Sequence, residues 1–181
     1  MGSLKEVDTK VPTFDFIAAW AWGIWFTASG TRVPFSSKMS LFDPIRPYFD
    51  AEVNAAIQEI LDQSMLTSMM QFTFPEDLLH SWKERMKHTH SLRDFQINFI
   101  YPAVKKVLEM SSEGLTLSGF DQLEPNTAYL FISNHRDIIL DTSLLNACLY
   151  ENGLVMTTSA IGDNLIKKPF LNTLSRLNRN F

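Results

Sequence analysis

The sequence predicts an α/β core behind a helical N-terminal segment, and two observations carry that expectation. From Asp50 to about Met110, apolar side chains recur at helical spacing. After Gly114 the pattern changes to short apolar runs of strand length alternating with helical stretches. The chain has 181 residues, enough for one domain with a sizeable core.

The elements follow in order. Residues 1–38 read as an N-terminal extension, residues 39–112 as a helical segment, and residues 113–181 as the α/β part. The extension holds the apolar run Phe16 to Ala28, with Trp20, Trp22 and Trp25 among its side chains. Tryptophan suits a membrane interface, where an apolar ring and one N–H are both satisfied. An interfacial anchor is one reading of the run. A signal-peptide core is another, with Lys5 and Lys10 ahead of it and the small residues Ala28, Ser29 and Gly30 behind it. A third is a non-native extension, because the text from Met39 onward has the form of a natural start. No apolar stretch reaches the roughly 20 residues that span a bilayer.

Pro44 and Pro47 make Phe42 to Phe49 an extended arm. Asp50 is expected to cap a helix whose buried stripe is Val53, Ala56, Ile57, Ile60 and Leu61. Glu76 and Asp77 are expected to open another helix, with their charges in its first turn. Ser91 is expected to cap a longer helix reaching about Met110, interrupted at Pro102. Leu115 to Gly119 alternates as a short strand does, Ala128 to Ile132 reads as a buried strand, and Leu154 to Thr157 as a third. Helices are expected after Asp141 and from Asp163, the second bent at Pro169.

Composition narrows the function. The net charge is −4, from 16 basic and 20 acidic residues, so no basic nucleic-acid footprint is present. Cys148 is the one cysteine, which rules out an intrachain disulfide, and it lies in an apolar run as a small buried hydrophobe. His80, His88 and His90 have no metal-ligand spacing and read as helix-face residues; no metal site is expected.

The chemistry concentrates in Phe131 to Asp141, FISNHRDIILD. A strand delivers His135 into a loop, and carboxylates follow. A histidine takes a proton from an alcohol near neutral pH, and a carboxylate on its other nitrogen fixes the tautomer and stabilises the imidazolium. Five residues separate His135 from Asp141. On one helix six steps would leave the two side chains about 120° apart, so His135 belongs in the loop. Asp137 is the alternative partner, since in extended backbone it shares a face with His135.

Ser133-Asn134-His135 followed by Asp141 resembles the signature block of the glycerol-phosphate and lysophosphatidate acyltransferases, a histidine and an aspartate usually with four residues between them. Leu117-Ser118-Gly119, the gap containing Pro125 and the strand ending in Asn134-His135 are similar to the family's entry into its site. Ser159 to Gly162, Pro169-Phe170 and Leu177 to Phe181 look like the approach to its second block. The likeness covers roughly Met39 to Phe181, is strongest from Gly114, and is greatest to the branch found in Bacteroidetes-type bacteria. Its spacing departs from the family by one residue.

The resemblance implies a mixed sheet flanked by helices, the glycerol-3-phosphate acyltransferase fold. It implies catalysis by His135 with Asp141, which the following apolar helix favours, or Asp137. Asn134, Arg136 and Arg179 are the implied substrate-binding residues, with Arg176 a further arginine near the same end. His135 would deprotonate a hydroxyl of lysophosphatidate or glycerol 3-phosphate, and the oxygen would attack the thioester of acyl-CoA or acyl carrier protein. No cofactor is required beyond that co-substrate. The implied place is the cytoplasmic face of the cell membrane, peripherally bound, in phospholipid biosynthesis. The family's later blocks do not follow Phe181, so the chain is expected to be the N-terminal portion of a longer enzyme. Two further readings stand beside this one: O-acylation of an amino-acid-derived lysolipid, and a non-catalytic membrane-binding module.

Several residues also have plain structural readings. Asn134 can cap a turn, Arg136 can be a solvated or ion-paired charge, and Asp137 can cap the next helix. Lys167-Lys168 can be solvated. Met65, Met69 and Met70 with Phe72 and Phe74 read as core or a membrane-facing patch, with an acyl pocket as the functional alternative.

Overall fold

The computed structural model describes residues 17–18, 43–77, 80–134 and 140–181. Helices dominate them. Helix α1, Asp50–Ile60, buries Val53, Ala56, Ile57 and Ile60, the stripe expected from the spacing. Its N-terminus is closed differently from expectation. Glu52, in the first turn, accepts from Phe49 N at 2.7 Å, and Arg46 clamps the same carboxylate with two hydrogen bonds of 2.8 Å. That leaves Asp50 available elsewhere: its Oδ1 accepts from Leu92 N at 2.9 Å and caps a helix 42 residues away.

Helix α2 spans Ser64–Thr73 and α3 spans Ser81–Lys87. The α3 helix begins later than Glu76 and Asp77 suggested, because Asp77 caps it from outside. The Asp77 carboxylate accepts from Ser81 N at 2.7 Å and from Trp82 N and Ser81 Oγ at 2.8 Å. Helix α4, Leu92–Phe95, is capped by Ser91, whose Oγ accepts from Asp94 N. It runs through a π-turn, Gln96–Ile100, into α5, Tyr101–Ser111. Pro102 therefore sits in the first turn of α5, and the expected interruption is the π-turn just ahead of it. Proline lacks the N–H and crowds the carbonyl four residues back, and a widened turn relieves both problems.

The main core lies here. Ile57, Leu66, Met70, Trp82, Phe95 and Phe99 are fully or almost fully buried together, and Leu177 of the last helix joins them. Burying each such side chain contributes about 1.5–3 kcal/mol.

The second half keeps its helices but not its expected sheet. Helix α6 spans Leu140–Glu151 and α7 spans Pro169–Leu177. Pro169 starts α7 instead of bending it, because its missing N–H costs nothing at the first helical position. Asp163–Leu165 forms a 3₁₀ turn before it. Among the described residues, extended pairing amounts to one antiparallel pair and one parallel bridge. The pair joins β1, Ile17–Ala18, to β2, Phe131–Ile132. The bridge joins Ser159 to Asn180, with Ser159 N donating to Arg179 O and Phe181 N to Ser159 O.

The three strand expectations resolve individually. Leu115 and Leu117 turn onto a small core with Val104, Leu144 and Cys148, so the alternation is real, but no ladder forms along them. Ala128 to Ile132 is not buried: Leu130 is 63% and Ile132 61% exposed, while Phe131 packs inward. At Leu154 to Thr157, Leu154 and Met156 are buried and Val155 is exposed. A side chain replaces the neighbouring strand there. Asn146 Oδ1 accepts from Thr157 N at 2.7 Å and Asn146 Nδ2 donates to Thr157 O at 3.1 Å.

Candidate functional site

The motif lies between β2 and α6. His135, Arg136 and Asp137 fall outside the described residues, so the structure describes the two sides of the motif. On the approach, Phe131 anchors β2 against Leu145, Leu149 and Leu154, and Ser133 and Asn134 are exposed. On the exit, Asp141 is the second residue of α6 and half-buried. A carboxylate in a first helical turn is favoured by the helix dipole in its ionised form, which is the form that would orient an imidazole.

Helix α6 is a rigid support. Every residue from Ser143 to Leu149 is buried. Its far end is tied by Glu151, whose Oε1 accepts from Tyr101 Oη at 2.7 Å and from Lys105 Nζ at 3.1 Å. These partners lower the Glu151 pKa, and the carboxylate in turn raises that of Tyr101 to about 12. Cys148, on the buried side of α6, has its thiol pushed up to about 11, first by burial and then by Glu151. Such a thiol is a packing group and not a nucleophile at neutral pH.

The two arginines near the end of the chain have different surroundings. Arg176 is a structural clasp: its Nε donates to Arg46 O at 2.7 Å, its Nη2 donates to Asp43 O at 2.9 Å, and its guanidinium lies 3.9 Å from the Tyr48 ring centroid. Arg179 is held in left-handed backbone at φ 60°, and its Nε is buried without a hydrogen-bond partner. Burial lowers its pKa first, Asp50 opposes that, and Arg93 adds to it.

The remaining sequence candidates separate clearly. Lys167, Lys168, His88 and His90 are exposed. Met70 is in the core while Met65 and Phe72 face solvent, so the methionines of α2 do not line one pocket. Among the described residues no three His, Cys, Asp or Glu side chains gather as a metal site would need, and no helix is long and apolar enough to cross a membrane. Two polar residues overlooked in the sequence, Gln96 and Asn146, are 3% and 6% exposed. The signal for both was an amide set among apolar residues of a helix, Phe95 to Phe99 and Leu144 to Cys148.

Comparison of the chain with protein-family models, with curated proteins and with solved structures finds no match.

Proposed function

We propose that this protein transfers a fatty acyl group from a thioester of coenzyme A or acyl carrier protein to a hydroxyl of lysophosphatidate or glycerol 3-phosphate. The observation that carries the reading is Asn134-His135 with Asp141, set between a strand and a buried helix. In this reading His135 takes the hydroxyl proton, Asp141 or Asp137 orients the imidazole, and the alkoxide attacks the thioester carbonyl. The tetrahedral intermediate collapses and releases the thiol. Asn134, Arg136 and Arg179 would contact the substrates, and a guanidinium is a natural partner for a phosphate. Neither a metal nor a covalent acyl-enzyme is needed.

The mixed sheet of the glycerol-3-phosphate acyltransferases is the finer fold reading. Its support is the parallel bridge of Ser159 and Asn180, whose connection passes through α7, as a parallel crossover does. Lysolipid acceptors reside in the bilayer, which in this reading implies peripheral action at the cytoplasmic membrane face.

Lipid mass spectrometry of cells expressing this chain, beside cells expressing His135→Ala, tests the reading. A new acylated lipid that disappears in the variant is expected, and its head group names the acceptor. A head group derived from an amino acid would move the assignment to O-acylation of such a lipid. Identical profiles from the two strains would remove the catalytic role of His135.

A further inference from the structure

The strand that leads to the motif has one covered face and one open face. Phe131 packs against Leu145, Leu149 and Leu154, while Leu130 and Ile132 are exposed. Residues two apart share a face of extended backbone, so the open face is apolar. Scattered exposed leucines need no explanation; what sets this pair apart is the chain beside it. β1 pairs with β2 in antiparallel register, Ile17 opposite Ile132 and Ala18 opposite Phe131. The sequence that leaves β1 carries Trp20, Trp22 and Trp25, and no charged residue occurs from Phe16 to Thr31. The pairing therefore starts the tryptophan-rich run alongside the strand whose outer face is uncovered.

We propose that the Leu130 and Ile132 face of β2, together with the run that follows β1, is a contact surface for the interface of a lipid bilayer. Tryptophan partitions to that boundary because its ring is apolar while its N–H still finds an acceptor. The run Phe16 to Ala28 falls short of the roughly 20 residues that a spanning helix requires, so it suits contact with the boundary and not passage across it. A protein partner is selected and oriented by charge, and neither Phe16 to Thr31 nor Ala128 to Ile132 contains a charged residue. The net charge of −4 gives no general attraction to anionic lipid, so the contact is driven by apolar burial. One consequence rests on the acyl-transfer reading: β2 runs directly into Ser133 and Asn134, and a strand held at the boundary sets the motif at the depth of lipid headgroups.

Flotation of the full chain with vesicles, of phosphatidylcholine alone and of phosphatidylcholine mixed with phosphatidylglycerol, tests the surface. The chain should bind both, and binding should persist in high salt, which screens charge but not apolar burial. The double variant Leu130→Ser, Ile132→Ser should lower the partition coefficient about tenfold or more, since it removes two apolar side chains from the buried contact. Both residues are open in the free protein, so its thermal unfolding should match that of the parent chain, which separates a lost surface from a lost fold. Vesicles containing brominated lipid should quench tryptophan emission except for the share of Trp82, which is buried in the helical core. No binding to either vesicle, or binding that the double variant leaves unchanged, overturns the proposal. So does self-association of the parent that the double variant abolishes, because the face would then belong to a second copy. His135→Ala should bind vesicles as the parent does. Binding without a His135-dependent lipid product would retain the surface and remove acyl transfer, while such a product without binding would do the reverse.

Discussion

Residues 43–111 and residues 113–181 solve the same problem in different ways. In the first region the helices satisfy their own backbone groups, and side chains from α1 to α4 and the π-turn close a shared core that Leu177 of α7 joins. In the second region the extended segments carry backbone groups that need partners from elsewhere. Among the described residues they find few: two residues of β1, the bridge at Ser159 with the Ile161 N to Phe181 O bond beside it, and the amide of Asn146. A helix is a local solution and a strand is a shared one. Substitutions in the two regions should therefore differ in kind as well as in size.

The largest effect belongs to the helical core. Phe99 is fully buried, edge-on to Phe74 at 6.5 Å between ring centroids and tilted against Phe95 at 5.8 Å. Phe99→Ala should cost about 3–5 kcal/mol, the usual loss for a buried aromatic ring. Urea unfolding measures it, and a loss under about 1 kcal/mol would mean that this region is not the stability core.

Asn146→Ala comes next. It leaves both Thr157 N and Thr157 O without their side-chain partner. The expected loss is about 1–3 kcal/mol, the penalty for leaving buried polar groups unmade. Amide exchange at Thr157 should accelerate more than exchange at the core of α1. Equal acceleration at both would indicate global destabilisation and not a local strand substitute.

Much of the helical region was legible in the sequence. The stripe on α1 and the Ser91 cap follow from spacing and from the chemistry of a hydroxyl at a helix start. What could not be read was long-range capping. Asp50 closes a helix 42 residues on, because Glu52 and Arg46 had already closed its own. The extended segments were harder. Alternation at Leu115, Leu117, Leu154 and Met156 reports which face is buried, but it does not report which backbone lies alongside. Leu130 and Ile132 misled in the opposite direction, since a continuous apolar run looks the same whether one face or both are covered. The candidate motif was readable as a histidine with carboxylates at loop spacing. Arg176 was not separable from Arg179 by sequence, because only the fold brings the Asp43 to Arg46 arm against α7.

Arg176→Met keeps the length of that side chain and removes its two hydrogen bonds to the arm. We expect a loss of about 1–2 kcal/mol, within the range for bonds to a charged donor in a partly solvated setting. The arm at residues 43–46 should become protease-sensitive while the core stays folded. An arm unchanged in proteolysis would assign the clasp to Arg46 alone.

A smaller effect is carried by pH. The Arg46 guanidinium, joined by Phe49 N, lowers the Glu52 pKa from 4.5 to about 2. A depressed carboxylate pKa contributes stability that is complete above the unfolded-state value and lost as pH falls through the folded one. The contribution should therefore fade between about 4.5 and about 2, and Glu52→Gln should flatten the stability profile in that window. Glu52 is partly solvent-exposed, so screening keeps the change modest. A profile with an unaltered acid limb would mean that the clamp is electrostatically neutral.

The smallest effect is the most discriminating. Leu130 is 63% exposed on the strand that leads to the motif. With that face open to solvent, Leu130→Ser should change stability by less than about 0.5 kcal/mol, as surface substitutions do. A mixed sheet flanked by helices would instead cover both faces of this strand, and the same substitution would then remove a buried leucine at a cost of about 2 kcal/mol or more. The two outcomes separate the open arrangement described for β2 from the covered sheet of the proposed fold. Ile132→Ser, two residues on and therefore on the same face, should give the same answer. If one of the pair is silent and the other costly, the strand is not flat across this span, and β2 ends before it delivers Asn134 and His135.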